Sequence, residues 1–167
     1  ERDLPLLDWP ELAALAEEGI EIGSHGHRHL ELDVLPPALA HEDIAESMRV
    51  LTERIGRRPR SFCYPFGYHS LRVRAMVMAA GFSSACEVGY RLHRRSRSRF
   101  AVSRLIVDRS VDGPGMLRLV TEGQRGLAFT ARRRLRVGWR AYRAARLRLG
   151  RDAQAGGMQP AGNDRIR

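Results

Sequence analysis

With 167 residues, 43% of them apolar, the chain is long enough for one cored domain and a tail. Its net charge of +10 comes from 29 basic residues, every one an arginine, set against 19 acidic ones. No apolar run approaches the roughly 18 residues of a membrane span, and two cysteines are too few for a disulfide framework.

Asp8 is placed to cap a helix whose first turn holds Pro10 and Glu11, with Leu12, Leu15 and Ala16 on its apolar face and Gly19 at its end. Residues 20–24 alternate apolar and polar side chains and read as a strand. The strand runs into Gly23-Ser24-His25-Gly26-His27-Arg28-His29, which holds three of the six histidines. Spaced leucines make 30–35 a linker. Pro36 and Pro37 then open a long helix over 38–55, with Ile44, Met48, Leu51 and Ile55 at helical spacing and Gly56 closing it.

After the turn Arg57-Arg58-Pro59-Arg60, residues 61–64 read as a short strand stopped by Pro65-Phe66-Gly67. A helix is expected over 71–80, with Val73, Met76, Val77 and Ala80 inward, then a strand over 82–88, an arginine-rich loop and a strand over 100–107. Cys63 and Cys86 fall in these strands and read as free thiols. Strands alternating with helices imply parallel pairing and an α/β fold, in which the ligand site lies at the carboxyl ends of the strands. That puts the histidine loop and residues 64–67 on one face.

His25 and His29, four residues apart, can present both imidazoles to one divalent ion if the loop takes a helical turn, with His27 pointing elsewhere. On the residues alone, a histidine-rich surface turn stays open beside this, because a catalytic metal usually takes three protein ligands.

The run Ile22-Gly23-Ser24-His25, with His29 following, resembles the metal-binding motif of polysaccharide deacetylases, the NodB-homology domain of carbohydrate esterase family four. Arg58-Pro59-Arg60-Ser61-Phe62-Cys63-Tyr64-Pro65-Phe66-Gly67 resembles that family's next motif. Ala79-Ala80-Gly81-Phe82 and the stretch 100–105 also look like the family, so the resemblance covers 4–107. It implies a partial, distorted (β/α) barrel, with 1–124 as the C-terminal portion of such a domain. It also implies metal-dependent N-deacetylation of an acetylated amino sugar in a polysaccharide or glycoconjugate.

The resemblance further implies a divalent ion, zinc foremost, on His25 and His29, and the main-chain N–H of Phe66 as a donor to the oxyanion. Tyr64, Pro65 and Gly67 would line the substrate groove. Cys63 stands where many members have an arginine, and Arg104, near a strand end, is a candidate to supply that charge. Position 26 is Gly where the family often has Ser or Thr. The family's Thr-Phe-Asp-Asp segment, which carries the third ligand and the base, is not in this sequence, and Asp8 and Asp33 do not sit in its context. The expectation is the C-terminal part of a longer enzyme or, alternatively, a carbohydrate-binding remnant without catalysis. The late Leu-x-His motif is not evident, and His93 lies in a polar loop. His41 reads as a helix-surface residue and His69 as a helix-start residue.

A weaker helical pattern runs from Val111 through Met116, Leu117 and Val120. Residues 125–150 read as a basic amphipathic helix with Leu135, Trp139, Tyr142 and Leu149 on one side, and 151–167 as a disordered tail. Ten arginines and no acidic residue lie between Arg125 and Arg151. Three partners suit this helix: its own domain, an anionic membrane surface, or nucleic acid, the last set lowest. No signal-peptide pattern follows Glu1, so a cytoplasmic or membrane-peripheral place is the expectation.

Overall fold

A computed structural model describes residues 6–89, 91–93, 98–124 and 135–155. Helix α1 spans Trp9–Glu17 and is closed at both ends by its own sequence. Asp8 accepts from the Glu11 N–H and the Glu11 carboxylate accepts from the Asp8 N–H, each at 2.8 Å, a reciprocal capping box. At the other end Gly19 adopts φ +92°, and the N–H groups of Gly19 and Ile20 return to the carbonyls of Ala16 and Leu15. This closure corrects one expectation. Residues 19 and 20 remain tied to α1, so the predicted strand over 20–24 shrinks to a single bridge, Ser24 to Phe62. There Ser24 N–H donates to Ser61 O at 2.9 Å and Cys63 N–H to Ser24 O at 2.7 Å.

Helix α2, Pro37–Ile55, ends on Gly56 at φ +74°. Its buried face, Ala40, Ile44 and Met48, joins Leu32, Leu35, Phe62, Tyr64, Val73, Val77, Phe82, Ala85 and Phe100 in one hydrophobic cluster. Strands β1 (Ser61–Cys63), β2 (Ser84–Val88) and β3 (Val102–Arg104) lie side by side in that order, all parallel. Cys63 is level with Cys86, and Cys86 with Val102. Between β1 and β2 runs helix α3, Leu71–Ala79, capped by the Ser70 hydroxyl.

The α/β alternation and parallel pairing match the expectation. Among the described residues the sheet stays three strands wide, with Ser24 as a bridged fourth position, and does not close into a barrel. The expected strand over 100–107 is also shorter. A 3₁₀ turn, Arg99–Ala101, precedes β3. Past β3 the side-chain amide of Gln124 takes both backbone groups of Ile106, at 3.1 and 3.0 Å, in place of a neighbouring strand. Helix α4, Gly113–Glu122, begins at Asp112, whose carboxylate accepts from Gly115 N–H at 2.7 Å.

Helix α5, Arg136–Ala155, runs through Gly150, where the sequence pattern predicts an end. The remainder of the expected basic and disordered segments, 125–134 and 156–167, lies outside the described residues. None of the helices among the described residues is long and apolar enough to cross a membrane. The packing of α5 reverses the expected one. Leu135, Trp139, Tyr142 and Leu149 stay exposed, and an arginine face turns inward. Arg143, 2% exposed, grips the Asp33 carboxylate through both terminal nitrogens, at 2.8 and 2.9 Å. Its guanidinium lies 3.8 Å from the centre of the Tyr68 ring. Arg140 reaches Asp33 O at 3.1 Å and Arg146 reaches Glu31 at 3.2 Å. The linker 30–35 supplies the two carboxylates, and these select the arginine face of the helix over the apolar one.

Because Asp33 is buried, Arg143→Ala strips a charged group of its bidentate partner, at a cost of about 3–5 kcal/mol if the helix stays docked. The expected readout is a lower melting temperature together with cleavage at the arginines of α5 by a trypsin-like protease under native conditions. Unchanged protease resistance would show that other contacts hold the helix.

Candidate functional site

The histidine loop takes its shape from a carboxylate on α2. Asp43 is fully buried. One of its oxygens accepts from His27 N–H at 3.0 Å, and the other from Arg28 N–H at 3.0 Å and Arg28 Nε at 3.3 Å. Gly26, at φ +79°, is what allows this approach, since a Cβ there would lie 2.8 Å from an Asp43 oxygen. Asp43 thus braces the loop from outside it. A second brace lies beneath it: the buried Ser24 hydroxyl donates to Ser47 Oγ at 2.8 Å, and Ser47 donates to Ile44 O at 2.8 Å. Asp43 escaped the sequence reading, although an acid beside Ile44 on the inward face of an amphipathic helix was a usable signal.

Within this frame His25 and His29 come together, with ring centroids 4.9 Å apart and planes at 65°. His25 Nδ1 lies 2.6 Å from Cys63 O. A carbonyl can only accept, so Nδ1 carries the proton and donates, which leaves Nε2 available as a ligand. His29 sits at φ +54° and Phe66 at φ +55°, the only two non-glycine residues with positive φ among those described. Their rings touch, centroid to centroid, at 4.5 Å. Phe66 occupies a tight 3₁₀ turn, Pro65–Gly67, in which Gly67 N–H donates to Tyr64 O and Tyr68 N–H to Pro65 O. Its own N–H lies in the first turn, where helical donors have no partner within the helix. Gly67, at φ +71°, lets this turn pass β2, for a Cβ there would lie 2.5 Å from Val88 N.

The expected meeting of the two clusters on one face is therefore observed, and His27 contributes its backbone. Other expectations change. Tyr64 is 0% exposed, packs edge-on to Phe62 at 5.5 Å and donates its hydroxyl to Phe100 O at 2.9 Å. It is a core residue here and does not line a groove; burial pushes its phenol well above the usual tyrosine range. Pro65 and Gly67 are likewise buried, so the exposed part of the turn is Phe66, at 51%. Arg104 is exposed at the last position of β3, close enough for its charge to act on the thiols of Cys63 and Cys86. His69, expected as a helix-start residue, directly precedes the α3 cap Ser70, and its side chain is buried, bonded to Glu87 at 2.6 Å and accepting from Arg74 Nε at 3.1 Å.

The chemistry of the donor set fits two ligand positions of a divalent ion. Among the described residues no third His, Cys, Asp or Glu joins these two imidazoles. Asp43 is unsuited to the part, because both of its oxygens are spent on the loop backbone.

A sequence profile described as polysaccharide deacetylase matches residues 6–85 of the chain. Residues 6–85 are thus similar in sequence to the polysaccharide deacetylase family. That segment contains both histidines, Asp43 and the Phe66 turn. A comparison with curated proteins found no match. Among solved structures, the deacetylase fold recurs in a de-N-acetylase from Aggregatibacter actinomycetemcomitans, at a TM-score of 0.61 and 16% identity over 72% of this chain and 57% of that one. It recurs in the Streptococcus pyogenes deacetylase PplD, with a TM-score of 0.64 and 11% identity over 70% of this chain and 52% of that one. IcaB from Ammonifex degensii gives 0.58 and 21% over 70% and 54%. The chain thus spans little more than half the length of these deacetylase-fold structures.

Two measurements probe this deacetylase segment. Asp43→Ala orphans the N–H groups of His27 and Arg28 and is expected to cost roughly 1–3 kcal/mol in stability. Asp43→Asn, which keeps one acceptor, should fall between it and the parent; equal melting temperatures for all three would refute the brace. The second concerns the thiols. Burial pushes Cys63 and Cys86 up, and Arg104 pulls partly back. Alkylation near pH 7 should be slower than for a free cysteine, rise only at more alkaline pH, and slow further in Arg104→Ala.

Proposed function

We propose that this chain carries the two-histidine part of a metal-dependent N-deacetylase site acting on an acetylated amino sugar in a polysaccharide or glycoconjugate. The observation that carries the reading is the convergence of His25, His29 and Phe66 at the carboxyl ends of parallel strands. His25, through Nε2, and His29 would hold a divalent ion, zinc by the resemblance, and such an ion polarises an acetamide carbonyl.

The chain's own residues orient and enclose. Cys63 O fixes the tautomer and the plane of His25. The Phe66 ring covers one side of His29, and its N–H offers a donor for negative charge growing on the carbonyl oxygen. Arg104 would add positive charge at the neighbouring strand end. Two residues held at positive φ, touching each other and meeting at one point, are the kind of backbone strain that collects at binding sites.

A second reading is a carbohydrate-binding remnant of the same fold. It is favoured by the lack of a third metal-ligating side chain beside His25 and His29 among the described residues.

Titration with zinc ions tests the metal assignment. His29→Ala should lower affinity by roughly tenfold or more, whereas His27→Ala, which keeps its backbone bond to Asp43, should change it little. Equal losses would overturn the assignment. Acetate release from chitin-type oligomers with zinc present then separates the two readings, since a remnant releases none.

A further inference from the structure

Helix α5 and the sheet domain flank an open cavity of about 790 Å³. Six arginines line it, against two carboxylates, Asp33 and Glu87. Both carboxylates are already engaged, Asp33 by Arg143 and Arg140, Glu87 by His69 and Arg91. Arg72 spends its bond on a carbonyl, Leu35 O at 2.9 Å, and Arg74 on His69. Arg148 pairs with no carboxylate among the described residues. The cavity therefore holds guanidinium charge that no carboxylate among the described residues neutralises. Deeper in its wall, the almost fully buried Arg143 keeps its Nε–H without a hydrogen-bond partner.

Tyr68 and Trp139 also line the cavity, and a series of ring contacts links them to the histidine loop. His29 touches Phe66; Phe66 stacks on Tyr68 at 6.0 Å; the Tyr68 hydroxyl accepts from Trp139 Nε1 at 2.9 Å; and Trp139 stacks on Tyr142 at 5.2 Å. Trp139 and Tyr142 remain 47% and 56% exposed. Flat exposed rings suit the apolar faces of sugars, and planar guanidinium forks suit carboxylate or phosphate oxygens. Both lie on one path from the acetamide-binding point.

We propose that this cavity binds an anionic substituent, a carboxylate or phosphate, on the same glycan whose N-acetyl group lies at His25 and His29. The substrate class is thus an acidic acetylated glycan, with α5 supplying the subsite that recognises its charge. Arg72, Arg74 and Arg148 attract the anion, and Tyr68 and Trp139 flank the sugar ring. Single-stranded nucleic acid would also suit arginines interleaved with aromatics, but the path of rings to the histidine loop favours a glycan. The proposal rests on the deacetylase reading.

The test measures binding by the full chain, without turnover. An N-acetylglucosamine–glucuronate hexasaccharide is compared with a neutral N-acetylglucosamine hexamer at low and high salt. The acidic oligomer should bind about tenfold tighter, and the preference should shrink with salt. Arg148→Glu changes an exposed residue with no hydrogen bond or ion pair among the described residues, and should abolish the preference while leaving the neutral oligomer unaffected; Trp139→Ala should weaken both. Displacement by inorganic phosphate would support a phosphate-type group, and displacement by free glucuronate alone a carboxylate. Equal affinity for the two hexamers, or a preference that survives Arg148→Glu, would overturn the proposal, as would single-stranded DNA binding tighter than either. His29→Ala should lose metal and keep the charge preference, so failure of the metal site and failure of this subsite are told apart.

Discussion

The candidate site depends on the buried carboxylate of Asp43. A loop with histidines at alternate positions has no reason of its own to aim two of them at one point. Asp43 removes the choice by accepting the N–H groups of two successive residues, His27 and Arg28. That draws the loop into a turn, and a turn is what brings His25 and His29, four apart in sequence, within 4.9 Å. Charge-assisted hydrogen bonds of this kind are about twice as strong as neutral ones. The carboxylate is in turn fixed by its place on α2, whose next residue, Ile44, anchors the core. Site geometry and core packing are therefore set by adjacent positions of one helix.

Strain at the surface of the site follows from that rigidity. His29 and Phe66 each occupy the left-handed region, at a typical cost of order 1 kcal/mol or more apiece. Each belongs to a turn pinned on both sides. The histidine loop is held by Asp43 and by the Ser24 bridge to β1; the Phe66 turn is held by buried Pro65 and by Gly67 against β2. Between them they hold an aromatic ring over an imidazole with nothing flexible in the support.

How far the site could be read from sequence depended on whether a residue's role was local. The capping box at Asp8, the closure at Gly19, the left-handed end at Gly56 and the cap at Ser70 are local, and each left a signature in its neighbours. The parallel sheet followed from the alternation of elements, and the shared face of the two clusters followed from the sheet. What stayed hidden was set by partners distant in sequence. Tyr64 looked free to face a ligand because its hydroxyl partner, Phe100 O, lies 36 residues on. The strand expected over 20–24 gave way to a helix closure that satisfies its backbone from behind. Glu87 and His69, 18 residues apart, form a buried pair that no spacing announces.

Helix α5 carries the same lesson furthest. Its apolar positions, Leu135, Trp139, Tyr142 and Leu149, make a plausible docking stripe, and hydrophobic burial is ordinarily the stronger force. Here the surface beneath offers two carboxylates on a short linker and the face of Tyr68, and guanidinium groups satisfy both kinds of contact. Arg143 bonds Asp33 with both terminal nitrogens while stacking on the ring. An ammonium could match neither the bidentate grip nor the stacking, so an arginine-only composition, whatever its origin, has a structural consequence at this position. Turning the arginine face inward leaves the aromatic face outward, with Trp139 bonded to the Tyr68 hydroxyl. The helix that looked like an appendage thereby becomes a wall of the arginine-lined cavity.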